Sequence, residues 1–419
     1  MNSSTNANCF CKRMYVRMIK TAYSGWWGHQ PVVLKKIHNT QPPKDQHLKN
    51  MPKVLFLYLK AFSFTGGIEK FNRNFLKALH ELSVDGCMRA EAYSMYDTEP
   101  DRRYFPQKRF RGFGGKRLWF VWHAITEAQQ YDTVVLGHIN LAIMGIIMQL
   151  INPHLQLILI AHGLEVWQPQ KGIKKKLLTN VAQIYCVSHF TRGELMRHHS
   201  FLTFQQCVVF PNTLDAYFTL PPVIEKPADL VVQYGITDTT RIILTVTRLQ
   251  SFEKYKGYDT VIRLIPGLLQ THPHTLYYII GKADASEQRR IEATIRELGL
   301  EEKVKLLGFV PDELLQAHYV LADVFIMPSH KEGFGIVFIE AMACGLPVIA
   351  GNKDGSRDAL LNGKLGTLVD PDDPDAILQA LQAALSGQVQ LRGKALQLEV
   401  WQHFSFEQYK QRLKRLLGG

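Results

Sequence analysis

No apolar run in these 419 residues reaches the roughly 18 needed to cross a bilayer as a helix; LAIMGIIMQLI, from Leu141, is too short and follows polar sequence. Cysteine is sparse. Cys9 and Cys11 stand one residue apart, and Cys87, Cys186, Cys207 and Cys344 are scattered, so neither a metal-ligand spacing nor a disulfide framework is present. That pattern points to reduced thiols in a cytoplasmic protein. There is no short internal repeat and no recognisable RNA- or DNA-binding motif. Acid is nearly missing from the first 50 residues, which hold eight Lys or Arg against Asp45 alone. That net +7 leaves only +5 of the chain's +12 for the other 369 residues. This leader also lacks a secretory-type apolar core and a clear periodicity. Residues 1–50 are expected to be a disordered extension or a mis-called start, with an organelle-targeting segment as the alternative.

What is present fits two or three domains with real cores, at 46% hydrophobic and 11% aromatic residues. From Met51 apolar strands alternate with helical segments. VLFLYL, DTVVLG, LQLILIA, IYCVS and CVVFPN form a first series, with a helix expected from about Ile68 to Leu82. A loop-rich stretch with Pro221, Pro222 and Pro227 follows. RIILTVTRL, TLYYIIG, KVKLLGF, DVFIMPS, LPVIAG and GTLVD then form a second series. Two such series predict an α/β protein of two facing Rossmann-like, doubly wound domains.

The stretch SHKEGFGIVFIEAMACGLPVIAG, Ser329 to Gly351, joins two of these strands through a short helix closed by Gly345. Its loop lies at the carboxyl end of a strand and the amino end of a helix, where open α/β sheets bind ligands. Gly333 and Gly335 leave backbone N–H groups accessible to an anion, which the helix dipole favours. Glu340 sits about one turn inside an almost wholly apolar helix. A buried carboxylate needs donors, since an unpaired one costs several kcal/mol, roughly. A ribose diol would supply them, while Glu332, on the loop, would accept from a second polar part of the ligand. The alternative makes Glu332 a partner of the helix dipole and Glu340 a core residue bonded to protein donors.

Seven residues separate Glu332 from Glu340, and PSHKEGFGIVFIEAMACGLPVIA resembles the E-x7-E signature of the GT4 family of retaining glycosyltransferases, which have the GT-B fold. The resemblance implies an amino-terminal acceptor domain at 51–220, a nucleotide-sugar domain at 221–402 and a helix crossing back at 403–419. It implies transfer of a sugar from a nucleotide diphosphate sugar to a hydroxyl, with no cofactor and no metal. FTGGIEKF, with Gly66 and Gly67, resembles the family's amino-terminal glycine-rich loop. In TRLQSFEKYKG, Arg248 and Lys256 resemble the cations that bind the donor diphosphate; Lys254 competes with Lys256, and the following glycine favours the latter. His162 in AHGLEVW resembles the histidine that contacts the transferred sugar. On this reading Glu332, His162, Arg248 and Lys256 are the catalytic set. Gly333, Phe334, Gly335, Ile336 and Glu340 complete the donor site, and Ser188 and Asn212 line it. GNKDGSRDAL departs from the family's form: Asp354 replaces the first of two glycines and Asp358 holds the carboxylate position, which bears on the donor and not on the fold.

Two further stretches need a reading. DPDDPD, at 370–375, follows a strand and precedes a helix, where aspartate and proline serve turns and caps rather than a metal. Residues 102–117 carry seven Lys or Arg and no acid, and LWFVW follows. This is either a solvated loop leading into a core helix or, through 102–125, a peripheral contact with an anionic acceptor or membrane surface. Partners are thus a nucleotide sugar and a hydroxyl acceptor, lipid-linked in the membrane case, with no nucleic acid expected. The location is cytoplasmic, at the inner face of a membrane if that contact forms. The rival functions are a nucleotide-sugar epimerase of the same fold and a non-catalytic basic binding protein.

Overall fold

The computed structural model describes residues 51–63 and 66–418; the expectations for residues 1–50, with Cys9 and Cys11, lie outside them. Strands form where the sequence is apolar on both faces of the chain, as in KVLFLY of β1 (Lys53–Tyr58), which is buried beyond its first residue. It is followed by β2 (Arg89–Ser94), β3 (Phe110–Gly112), β4 (Thr133–Leu136), β5 (Gln156–Ala161), β6 (Gln183–Cys186) and β7 (Cys207–Val209). These make one parallel seven-stranded sheet in the order β3-β2-β1-β4-β5-β6-β7. The strands β8 (Arg241–Val246), β9 (Thr275–Ile280), β10 (Val304–Gly308), β11 (Val324–Met327), β12 (Val348–Gly351) and β13 (Thr367–Val369) make a second. It is also parallel, in the order β10-β9-β8-β11-β12-β13. Each order reverses direction once, at β1/β4 and at β8/β11, and it is at such switch points that a doubly wound sheet opens a crevice.

Helices cover both faces. In the first half α1 (Gly67–Val84) packs one face, while α2 (Arg117–Glu127), α3 (Ala142–Ile151), α4 (Gly172–Asn180) and α5 (His189–His198) follow β3 to β6. The second half carries α6 (Ala228–Gln233), α7 (Tyr258–Leu269), α8 (Ala285–Glu297), α9 (Asp312–Leu321), α10 (Ile336–Ala343), α11 (Ser356–Ala359), α12 (Pro374–Leu385) and α13 (Gly393–Phe404). The helix α10 ends as expected at Gly345, whose φ of +77° favours a residue without a Cβ.

The last helix, α14 (Phe406–Leu417), belongs to the first half. Lys410 pairs with Glu81 of α1 at 3.0 Å, and Tyr409 lies 4.5 Å from Phe210, ring to ring. The chain therefore crosses between halves twice, after β7 and at Ser405, and the crossings are tied together. Phe404's carbonyl accepts from Thr213 Oγ1 at 2.8 Å and from the Leu214 N–H at 2.9 Å.

One of the two readings of the basic stretch is corrected here: the helix that 102–117 leads into, α2, is not a core helix, since only Phe120 and Ala124 in it are buried while Leu118, Trp119 and Trp122 are exposed.

Candidate active site

Both switch points open at the carboxyl ends of their strands, and the expected site residues gather there. At β1/β4 the loop after β1 is held by Asp97, a buried carboxylate. It accepts from the N–H groups of Ala61, Phe62 and Ser63 at 2.8, 3.2 and 3.0 Å and so fixes residues 61–63; Gly66 stands at the amino end of α1. Across the switch point, His162 follows β5. Its Nε2 lies 2.8 Å from the Gly137 carbonyl, which can only accept, so the imidazole proton is on Nε2. Burial lowers its pKa to about 4 against the opposing effect of that bond, so the ring is neutral at physiological pH. His138, one residue past Gly137, is likewise lowered to about 4 by burial, and its ring lies 6.5 Å from that of His162.

At β8/β11 the loop from Pro328 to Gly335 enters α10, whose first turn no side chain among the described residues caps. Its first-turn N–H groups lack intrahelical acceptors, as at any helix start. The side chains of Phe334 and Ile336 turn into the core, so these two residues offer the site only backbone. Asp354, fully buried, organises the loop from behind. It accepts from Ser329 Oγ at 2.6 Å, from the Glu332 N–H at 2.7 Å and from the Ser356 N–H at 2.9 Å. Burial raises its pKa to about 6, although these donors favour the charged form. The first-half loop touches this one directly: a Cβ built on Gly333 would lie 2.1 Å from the His162 carbonyl, so the approach requires glycine.

The cations stand beside the loop. Lys256, at the end of a short 3-10 turn (Lys254–Lys256), donates to Glu332; Lys254 is exposed and forms no ion pair among the described residues. Arg248, past the end of β8, donates to Glu253 at 2.5 Å. Glu253 is buried and also accepts from Tyr255 at 3.4 Å, while the Tyr255 carbonyl receives the His330 N–H at 2.9 Å. Partly buried Lys256 thus reaches the loop into α10 directly, and half-exposed Arg248 is linked to that loop through Glu253 and Tyr255. An incoming diphosphate can share both cations and take backbone N–H groups as well.

Glu340 lies deeper on α10 and has protein donors: Lys70 Nζ at 2.5 Å, from α1, and Tyr319 Oη at 3.2 Å. Lys70 is also 3.5 Å from Asp312, which Arg73 approaches at 3.3 Å. Burial opposes the Lys70 charge, but Glu340 and Asp312 outweigh it and raise its pKa. A ribose at Glu340 would share the carboxylate with this lysine.

The other expected residues have the following surroundings. Ser188 caps α5, accepting from the Thr191 N–H at 2.9 Å. Asn212 is buried past β7, and its Oδ1 has no hydrogen-bond partner among the described residues. A Cβ built on Gly67 would meet no atom of the described residues within 4 Å. Asp358 reaches the other half, accepting from the backbone N–H and the Nδ1 of His189, both at 2.7 Å, at the start of α5. In DPDDPD, Asp370 and Asp372 each pair with Lys353 at 2.6 Å, and Asp373 caps α12 through the Ala376 N–H at 3.0 Å. Among the described residues no group of three His, Cys, Asp or Glu is placed to hold a metal. Sequence reasoning missed Lys70, Asp97, His138 and Glu253. GHIN after a strand was the one local signal, for His138.

Two facing Rossmann-like halves with the candidate site at their apposed strand ends and a final helix returning to the first half define the GT-B fold. Solved structures agree. Anabaena Alr3699/HepE in complex with UDP superposes with a TM-score of 0.70 at 21% identity, over 87% of this chain and 99% of that one. A glycosyltransferase from Rickettsia africae gives 0.69 at 17%, over 88% and 98%. Residues 229–400 match the model of the glycosyl transferases group 1 family. Among curated relatives, the GDP-mannose-dependent alpha-(1-6)-phosphatidylinositol monomannoside mannosyltransferase of Mycolicibacterium smegmatis is 35% identical over 202 residues, 45% of this chain and 50% of that protein. The D-inositol 3-phosphate glycosyltransferase of Corynebacterium jeikeium is 36% identical over 154 residues, 36% of each. The matched stretch thus spans half or less of these two relatives' length.

Proposed function

We propose that this chain is a retaining GT4-type glycosyltransferase, moving a sugar from a nucleotide diphosphate sugar to a hydroxyl of a lipid-linked acceptor in glycolipid or glycan synthesis. The observation that carries the reading is the Glu332 loop: an uncapped helix start beside Lys256 and Arg248, closed by the loop of His162. The donor diphosphate lies against Arg248, Lys256 and the amino end of α10, with Glu340 on its ribose and Glu332 on its sugar. Residues 221–402 hold this donor and 51–220 receive the acceptor. The bond from the anomeric carbon to the diphosphate oxygen breaks first, and the cations and helix dipole stabilise the departing charge. The acceptor oxygen bonds to the anomeric carbon on the face just vacated, and its proton passes to the leaving diphosphate oxygen. His162, neutral and fixed by Gly137, orients the sugar. No metal takes part in this scheme, because the two cations and the helix supply the positive charge.

Names of relatives support a glycolipid acceptor: the Mycolicibacterium protein acts on a phosphatidylinositol monomannoside. That relative is GDP-mannose-dependent, whereas the Anabaena complex holds UDP, so both nucleotides belong in the test. The chain is placed in the cytoplasm, with peripheral membrane contact through 102–125. Calorimetric titration with GDP, UDP and their sugars, followed by product analysis with and without a lipid acceptor and with a chelator, tests the scheme. We expect binding of one nucleotide diphosphate sugar, an acceptor-dependent product of retained configuration and a rate indifferent to the chelator. Conversion of the donor sugar without any acceptor would make the protein an epimerase, and absence of nucleotide binding would overturn the reading.

A further inference from the structure

We propose that a rim on the first half of the molecule, built from the first turns of α2, α3 and α4, docks onto an anionic lipid bilayer. The proposal takes its purpose from the lipid-linked acceptor and the contact through 102–125 proposed above, and extends that contact to two further helices on the geometry alone.

The three helices follow β3, β4 and β5, which are parallel, so all three start at the carboxyl edge of the sheet, the edge that carries His162. They share one face of the sheet, with α3 packed between α2 and α4. Each presents apolar side chains to solvent in its first turn. Leu118 is 86% exposed and Trp119 59% on α2, Ile143 55% on α3 and Ile173 43% on α4. Trp122, one turn further along α2, is 57% exposed. Single exposed apolar residues are ordinary, but their recurrence at three adjacent helix starts makes a continuous feature.

The formal charge at these three helix starts has one sign, with Asp101, Glu127 and Glu165 bordering it. Residues 102–126, 138–152 and 166–180 contain no Asp or Glu. Lys116, Arg117, Lys171, Lys174 and Lys176 form no ion pair with any described residue. Leucine and tryptophan enter the boundary between headgroups and acyl chains, while lysine and arginine remain at lipid phosphates. A second copy of the chain fits less well, because a symmetric contact would set these cations against one another. The docked orientation brings the cleft edge to the bilayer, where a lipid-linked hydroxyl is found.

The test is flotation of the full chain with vesicles of phosphatidylcholine alone and of phosphatidylcholine with phosphatidylglycerol, at low and high salt. We expect binding only to the anionic vesicles, weakening with salt. The triple variant Leu118→Glu, Ile143→Glu, Ile173→Glu should lose about tenfold or more of it. All three positions are exposed, and unchanged nucleoside diphosphate binding by the variant confirms that it is folded. Failure of the wild type to float, equal binding to both vesicles, or a triple variant that binds like the wild type overturns the proposal. So does a wild-type dimer that the triple variant dissociates in light scattering, since the rim is then a contact between copies. A chain that docks but transfers no sugar refutes the proposed function and leaves the rim standing; one that transfers sugar without docking does the reverse.

Discussion

Lys70 of α1 donates to Glu340 of α10 at 2.5 Å, an ion pair that spans 270 residues of sequence and joins the two halves of the molecule. Both side chains are largely buried, so removing one partner leaves the other's charge without compensation. Lys70→Met should therefore lower stability by roughly 3 kcal/mol. Thermal melting of the variant checks this; a melting temperature equal to wild type would show that the pair contributes nothing.

Glu340 and Glu332 should separate by ligand. Glu340→Gln keeps the shape but weakens acceptance from a ribose, so affinity for the bare nucleoside diphosphate should fall about tenfold, the worth of one hydrogen bond to a charged group. Glu332→Gln frees Lys256 from its carboxylate, so affinity for the bare diphosphate should hold or rise while turnover of the intact nucleotide sugar falls. Calorimetry with both ligands decides. A purely structural Glu340 predicts a lowered melting temperature with binding per folded molecule preserved.

The cations make a second pair of contrasts. Arg248→Ala and Lys256→Ala should each slow transfer by roughly 2–4 kcal/mol in activation free energy, since each removes a contact to the departing diphosphate. Lys254→Ala should change it little, because Lys254 is exposed and Lys256 alone reaches Glu332. Steady-state kinetics on the three variants test the assignment, and equal losses at 254 and 256 would refute it.

Much of this is legible in the sequence. Strands buried on both faces read as unbroken apolar runs, and the glycine-bounded glutamates marked the loop into α10. Other strands were not legible. RAEAYS of β2 alternates alanine with polar residues and owes its place to pairing with β1, and β3 has only three residues. The missed site residues fail for a related reason. Lys70 and Asp97 act on partners far along the chain or on backbone N–H groups, and neither leaves a local pattern. Asp354 was visible as a departure from glycine, yet its work of holding the Glu332 N–H appears only when β11 and β12 lie side by side.

That carboxylate also predicts a pH dependence. The folded pKa of Asp354, about 6, lies above the ordinary carboxyl value of 3.8, so between about pH 4 and 6 the folded state keeps a proton that the unfolded chain has released. Stability from this group is present at the acid end of that window and is lost as pH rises through it, by roughly 2–3 kcal/mol. Asp354→Asn should remove the dependence. The difference in unfolding free energy between wild type and variant, followed from pH 4 to 7, should slope accordingly; a flat difference would sink the idea.

His162 carries the opposite sign. Its folded pKa, about 4, lies below the ordinary 6.5, so the unfolded chain takes up the proton first as the solution is acidified. Its contribution is intact above about pH 6.5 and declines toward pH 4, by roughly 3 kcal/mol at full extent. His162→Gln should flatten the acid limb of the stability curve, and denaturant titrations across that range would show whether it does.

The return of α14 to the first half makes that half discontinuous in sequence. A fragment ending before residue 221 would contain every strand of its sheet and still lack part of its wall: Phe71, Phe210 and Tyr185 would lose their cover from Tyr409 and Leu416. Cutting the chain between the sheets therefore does not yield two self-sufficient proteins. One piece is left with an open aromatic surface, and the other trails a helix amphipathic for a partner it no longer has.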